Sequence, residues 1–195
     1  MIASWPEYDK GLLVFINHLG NVRWDVFWVY ATSIVAWIPL YLVFVYLIIK
    51  NFSRQKALAV LTTLVFTLIF TLLFTEITKE LVQRSRPVND PRVLQELRIV
   101  IRAHGYSFFS GHASNAMAVT TLFILFLRKK RKWVYVLYVW PLFFGLSRLY
   151  FAVHYPTDVL MGWLTGFLIA VGFYRYLGRA LLDYAAYRET IPDGK

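Results

Sequence analysis

The sequence predicts an all-α fold, an integral membrane helical bundle with about five transmembrane helices and an N-terminal amphipathic helix lying in the interface. Three observations carry this. Of 195 residues, 58% are hydrophobic and the mean hydropathy is +0.53, too apolar for an ordinary soluble domain. Long stretches without a charged residue recur along the chain at intervals suited to membrane crossings. Seven Trp and thirteen Tyr supply what aromatic belts at the two membrane surfaces use. The length suits a single domain, residues 1–195.

The first element is the stretch "YDKGLLVFINHLGNVRWD". It places Leu12, Leu13, Phe15, Ile16 and Leu19 near helical spacing, with Gly20-Asn21 as the stop. It is too short to span, so residues 1–22 are expected to lie in the interface. The acidic residues of "MIASWPEYDKGLL" and the missing basic start argue against a cleaved signal, leaving the first long apolar run as an anchor. That run, Val26 to Ile49, holds no charge over 24 residues and is expected to form the first span. Ala57 to Thr75 is the second span. Ala113 to Leu127 is the third, and it reaches spanning length if its helix starts near Ser110. Trp133 to Leu146 and Val159 to Tyr174 are the fourth and fifth, short until their polar flanks are added. After Tyr174, apolar and basic residues interleave, so the tail 175–195 is expected to lie in the interface as well.

Five spans place the termini on opposite sides. Loop 50–56 carries Lys50, Arg54 and Lys56, and loop 128–132 reads "RKKRK". Parity puts both with the C-terminal tail, and the positive-inside rule makes that side cytoplasmic. Loops 76–109 and 147–158 then face outward, with the N-terminus. The formal net charge of +10 is read as basic loops facing anionic headgroups rather than as a nucleic-acid surface. With no cysteine in the chain, thiolate metal sites and cysteine nucleophiles are excluded.

Three polar segments fall on the outward side. In "TKELVQRSRPVND", Lys79 and Arg86 lie seven apart at the expected end of the second span, where Pro87 should end the helix. They read either as snorkelling cations or as an anion cradle. In "SFFSGHASNA", Ser110 is a candidate N-cap and Gly111 allows close backbone approach. His112 would sit in the first turn beside the free amides, which favour anions. In "GLSRLYFAVHYPTDVLMG", Arg148 is a third cation and His154 and Asp158 lie four apart across Pro156, a suitable first helical residue. Asp158 either complements the helix dipole or orients the imidazole. Together the segments supply cations, amides, two histidines and a carboxylate, which suits phosphoryl transfer. Spacing leaves open which histidine attacks. Glu76, Glu80, Asp90 and Glu96 do not fall in a metal-ligand pattern. Arg98 and Arg102, four apart, read either as one basic helical face engaging a second phosphate or a headgroup or, the preferred expectation, as a solvated stripe facing the headgroups; His18 is expected to be structural.

In order and spacing these segments resemble the type 2 phosphatidic acid phosphatase superfamily, membrane lipid phosphatases that share an active site with vanadium haloperoxidases. The matching parts are "KELVQRSRP" (Lys79 to Pro87), "FSGH" (Phe109 to His112) and "SRLYFAVHYPTD" (Ser147 to Asp158). Phe109 stands where the family has Pro. The resemblance implies that His154 is the nucleophile, forming a phosphohistidine, that Asp158 orients it, and that His112 is the general acid. It implies that Lys79, Arg86, Arg148, Ser110 and the Gly111 amide bind phosphate, without a metal or other cofactor. The implied substrate is a lipid phosphomonoester or diphosphate in the bilayer: undecaprenyl diphosphate first, then phosphatidylglycerophosphate or phosphatidic acid, then lipid A. Transfer of the phosphate to another lipid, or non-enzymatic transport of a lipid or anion, are the competing expectations.

Overall fold

The computed structural model describes residues 5–191. Residues 1–4 and 192–195 of the two expected terminal segments lie outside the described residues. The elements run α1 (Trp5–His18), α2 (Val22–Ala31), a 3₁₀ turn (Ile34–Trp37), α3 (Ile38–Asn51) and α4 (Arg54–Val82). After a 3₁₀ turn (Pro87–Asn89) come α5 (Pro91–Leu94) and α6 (Gly111–Leu127). A longer 3₁₀ stretch (Lys132–Tyr138) leads into α7 (Val139–Tyr150) and then α8 (Pro156–Phe173). A π turn (Tyr174–Gly178) joins α8 to α9 (Arg179–Thr190). Ile34–Asn51, Arg54–Leu94 and Pro156–Thr190 are long and apolar enough to cross a membrane, and Gly111–Leu127 is a shorter apolar helix. The all-α membrane bundle expected from the sequence is the fold observed.

The core forms around α6. Thirteen of its seventeen residues are buried, so it is a central helix surrounded by others. Phe44 of α3 stacks on Phe123 of α6, with ring centroids 4.2 Å apart. On α8, Gly162 and Gly166 face α6 at a distance only glycine permits. A Cβ on Gly166 would lie 2.1 Å from the Ser114 carbonyl oxygen. Small residues at a helix crossing allow this approach and gain dispersion contacts where lipid offers no hydrophobic drive.

A second device lines the buried face of α4. Thr63, Thr67, Thr71 and Thr75 recur every four residues on α4, and all are buried. Each hydroxyl donates to the carbonyl four residues earlier, at 2.7–2.8 Å. The polar atoms are thereby satisfied inside their own helix, and methyl groups are left to pack. The opposite faces carry exposed Val65, Phe66, Ile69 and Phe70 on α4 and Leu164, Phe167 and Leu168 on α8, as lipid-facing surfaces do.

Four expectations need correction. The uncharged run Val26 to Ile49 does not make one straight helix. It breaks after Ala31, where Thr32 caps α2 through its backbone and its hydroxyl accepts from Arg148. The α4 helix stops at Val82, before Pro87. Gln83 adopts a left-handed conformation (φ 51°) and its amide closes the last turn on Lys79 O. Arg98 and Arg102 lie in irregular chain, where Arg98 grips Asp25 through both carboxylate oxygens at 2.8 Å. Their four-residue spacing therefore has no helical meaning. Finally, the stretch after Tyr174 does not lie apart. It continues α8 and returns against the bundle, with Gly178 packed on Phe126 and Thr63.

The N-terminal α1 ends at His18, before the expected Gly20-Asn21 stop. Leu13 is buried among Leu149, Ala152, Tyr155 and Val159, while Leu12, Phe15 and Leu19 stay exposed. Asn17 fastens it further: its side-chain amide donates to the carbonyls of Arg98 (3.1 Å) and Tyr150 (2.8 Å), and its oxygen accepts from Arg98 N (2.7 Å). His18 Nε2 pairs with the Glu96 carbonyl at 2.7 Å, a structural contact.

Candidate active site

The three polar segments meet at one end of α6 and α8. Ser110 caps α6, its hydroxyl accepting from Ala113 N at 3.4 Å, as its position before the apolar run predicts. Its own amide donates to the Asp158 carbonyl at 2.9 Å, so the start of α6 is tied to the first turn of α8. The preceding Phe108–Phe109 peptide is cis. Phe109 is buried with its ring centroid 6.1 Å from that of Phe74. The cap therefore forms without the family's proline.

Tyr155 is extended (φ −75°, ψ 157°) and α8 begins at Pro156, as expected for a residue before proline. Asp158 completes a reciprocal cap, its Oδ2 accepting from Tyr155 N at 2.8 Å. This turns the carboxylate back toward residue 154. Asp158 Oδ2 lies 3.6 Å from His154 Nδ1. Ser107 Oγ hydrogen-bonds Asp158 Oδ2 and stands 3.4 Å from His154 Nδ1.

On the other side of the ring, Arg86 Nη1 is 3.3 Å from His154 Nε2. A guanidinium can only donate. Nε2 is therefore the accepting nitrogen, and the ring proton sits on Nδ1, toward Asp158. Arg86 is itself fixed: Nε donates to the carbonyls of His104 and Gly105, both at 3.0 Å, and Nη1 to Val153 O at 2.9 Å. Burial pushes the His154 imidazole down to about 4; its bond with Asp158 opposes that fall, while Arg148 and Arg86 deepen it. His154 is thus neutral at physiological pH.

Arg148 is buried in α7. Its Nη1 donates to Thr32 Oγ1 at 2.6 Å, and its buried Nε has no partner among the described residues. Lys79 Nζ pairs with Glu76 at 2.7 Å and points at the start of α6, where it lies 3.8 Å from the place of a Cβ on Gly111. His112 is within electrostatic reach of Arg148, His154, Lys79 and Arg86. The ring is packed 5.3 Å from that of Phe144. A cavity of about 470 Å³ opens on this group. Lys79, Gly111, His112 and Asn115 form its polar end, and Ile34, Tyr41, Leu68, Leu72 and Phe144 its apolar walls.

The structure thus gathers all eight residues picked from the sequence. His154, Asp158 and Arg86 are in direct contact, Ser110 touches Asp158 through its backbone, Lys79, Gly111 and His112 line the adjoining cavity, and Arg148 is buried within electrostatic reach of both histidines. Sequence reasoning missed Ser107, Thr32 and Asn115. It also left Arg84 outside the site, yet Arg84 Nη1 bonds Asp158 Oδ1 at 2.6 Å. Ser107 stood in a singled-out segment but at no motif position. Thr32 and Asn115 carried no sequence signal.

The sequence profile of the PAP2 superfamily matches residues 60–181, and the chain belongs to that superfamily. It is 30% identical over 173 residues to the lipid A 4'-phosphatase of Bacteroides thetaiotaomicron, covering 85% of this chain and 75% of that protein. It is 30% identical to the undecaprenyl-diphosphatase of Sulfolobus acidocaldarius, covering 80% of this chain and 65% of that one. Its fold resembles the PAP2-type phosphatidylglycerolphosphate phosphatase of Bacillus subtilis, with TM-score 0.69 at 21% identity over 97% of this chain and 89% of that one.

Proposed function

We propose that this chain is a membrane lipid phosphatase working through a phosphohistidine. The observation that carries the reading is the imidazole of His154, held by Asp158 on one nitrogen and met by Arg86 on the other. A phosphate seated at Nε2 is bound by Arg86, Arg148, Lys79, the Ser110 side chain and the free Gly111 amide. Its oxygens offset the positive surroundings of His112. The Nε2 lone pair then forms a P–N bond while the P–O bond to the lipid breaks, and His112 gives its proton to the leaving oxygen. In the second step His112 takes a proton from water, the water oxygen bonds phosphorus, and the P–N bond breaks. Asp158 keeps the proton on Nδ1 throughout. No step is assigned to a metal.

The cavity supports a lipid substrate, because its polar end is continuous with apolar walls from α3, α4 and α7. A phosphate in this cavity meets Lys79, Gly111 and His112 at the polar end while its chain stays among the helices. Undecaprenyl diphosphate is the substrate put first, which the archaeal relative's name supports. A lipid A phosphate is the second reading, supported by the Bacteroides relative. Phosphatidylglycerophosphate and phosphatidic acid follow. The site faces the periplasm of a bacterial inner membrane and the C-terminus the cytoplasm, with residues 1–195 as one domain.

Purified protein given each of these lipids with EDTA present should release inorganic phosphate, and His154→Ala should abolish the release. No release from any of them, with wild type and variant alike, would leave anion transport standing. Phosphate recovered on a second lipid, not in water, would mark a phosphotransferase. Release lost on adding EDTA would overturn the metal-free chemistry.

A further inference from the structure

Asp158 uses its two oxygens differently. Oδ2 is shared among Tyr155 N, Ser107 Oγ and the His154 ring. Oδ1 has one partner among the described residues, Arg84 Nη1 at 2.6 Å. The side chain is completely buried, so without Arg84 this oxygen is a desolvated half-charge with no donor. A buried carboxylate in that state turns to share its remaining donors, and Oδ2 then leaves its place beside Nδ1.

Arg84 is held in turn by the N-terminal helix. Its Nη2 donates to Asp9 Oδ2 at 2.6 Å and its Nη1 to Thr157 Oγ1 at 2.7 Å. The guanidinium lies 4.0 Å above the Tyr155 ring. Asp9 is buried as well and accepts from Thr157 N (2.9 Å) and Thr157 Oγ1 (2.6 Å). Two buried carboxylates from α1 and α8 therefore share one guanidinium, and its planar fork engages both at once. Asp9 is the anchor: Arg84 keeps 29% of its side chain exposed, and without Asp9 it has room to swing to solvent.

We propose that Arg84 and Asp9 are positioning residues for phosphoryl transfer, with Asp9 clamping Arg84 and Arg84 fixing the Asp158 carboxylate that orients His154. This rests on the reading of Asp158 as the group that orients the nucleophile. Neither residue touches the phosphate. Partners one step removed from the reacting group fix its orientation, and losing one costs about 10- to 100-fold in activity.

The test uses the full chain in detergent and the lipid turned over fastest above, with radiolabelled phosphate release as the readout. Asp9→Asn and Arg84→Met should each lower kcat about 10- to 100-fold with KM unchanged within about twofold. Arg84→Lys, which keeps the charge without the fork, should recover part of the loss. In an Asp158→Asn background, adding Arg84→Met should cost less than about twofold more, because the group it positions is gone. A raised KM at unchanged kcat would overturn the proposal, as would a full loss repeated in the Asp158→Asn background. Wild-type rates in Asp9→Asn and Arg84→Met, beside an inactive Asp158→Asn, would sink this inference alone. A wild-type rate in Asp158→Asn would sink the reading it rests on. Thermal unfolding of each variant is followed in parallel. If Asp9→Asn, Arg84→Met and Arg84→Lys all fail to fold, the network is structural and the proposal falls.

Discussion

Arg86 Nη1 donates to His154 Nε2 across 3.3 Å, so a fixed guanidinium sits on the nitrogen proposed to attack. The same guanidinium is held by three backbone carbonyls, an arrangement that lysine has neither the reach nor the donors to reproduce. Arg86→Lys should therefore lower kcat/KM by about 10²- to 10³-fold, the usual loss for one preorganised donor to transition-state charge. Phosphate release from the preferred lipid checks this, and a loss below about fivefold would contradict it.

His112 is assigned the proton for the leaving oxygen, and that role has a signature. His112→Gln should lower kcat on lipid substrates by about 10²- to 10⁴-fold. On p-nitrophenyl phosphate, whose leaving group needs no proton, the loss should be much smaller. Equal losses on both substrates would reassign His112 to phosphate binding.

The depressed His154 imidazole has a consequence for stability. The folded chain keeps this ring neutral down to about pH 4, whereas the unfolded chain takes up a proton near pH 6.5. Below 6.5 the unfolded state binds more protons, so stability falls with pH until about 4 and is fully present above 6.5. The contribution is roughly 3 kcal/mol. Chemical denaturation of wild type and His154→Gln between pH 7 and 4 measures it. The wild type should lose more than the variant over that range, and parallel curves would refute the assignment.

The close approach of α6 and α8 makes a steric prediction. Gly166→Ala would place a Cβ 2.1 Å from Ser114 O. The helices must part or shift, at a cost of about 1–3 kcal/mol. Gly172 has nothing within 4 Å of its Cβ position, so Gly172→Ala should be neutral or stabilise by up to about 1 kcal/mol through helix propensity. Unfolding midpoints in detergent compare the two.

The topology can be read with a fused reporter. A reporter placed after Lys195 should score as cytoplasmic, and one inserted near Arg102 should score on the opposite side. The reverse pattern would invert the leaflet assignment.

The residues proposed to carry phosphate chemistry were legible because they lie in short segments of fixed spacing. Lys79 and Arg86, or His154 and Asp158, announce each other within a turn or two. The helices were legible from uncharged runs. What escaped was whatever a run or a spacing cannot encode. Hydropathy passes smoothly over Thr32, since no charge marks the break. At the break the Thr32 hydroxyl accepts from Arg148, 116 positions away. Asp9 looked like one acid in an amphipathic helix. Its partners at positions 84 and 157 are set by how α1 docks, which no local pattern records. The spacing of Arg98 and Arg102 suggested a helix face, but their segment is pinned instead by Asn17 and Asp25.

The long-distance clamp on Arg84 also sets a timetable for synthesis. When residues 79–86 emerge from the ribosome the cations are present, yet the guanidinium of Arg84 has only Asp9 to hold. The Asp158 carboxylate and His154 beside it arrive much later in the chain, with the start of α8. Until then the network holds one acid and no second. The network closes only when its last acid meets a cation that can already be held beside the first.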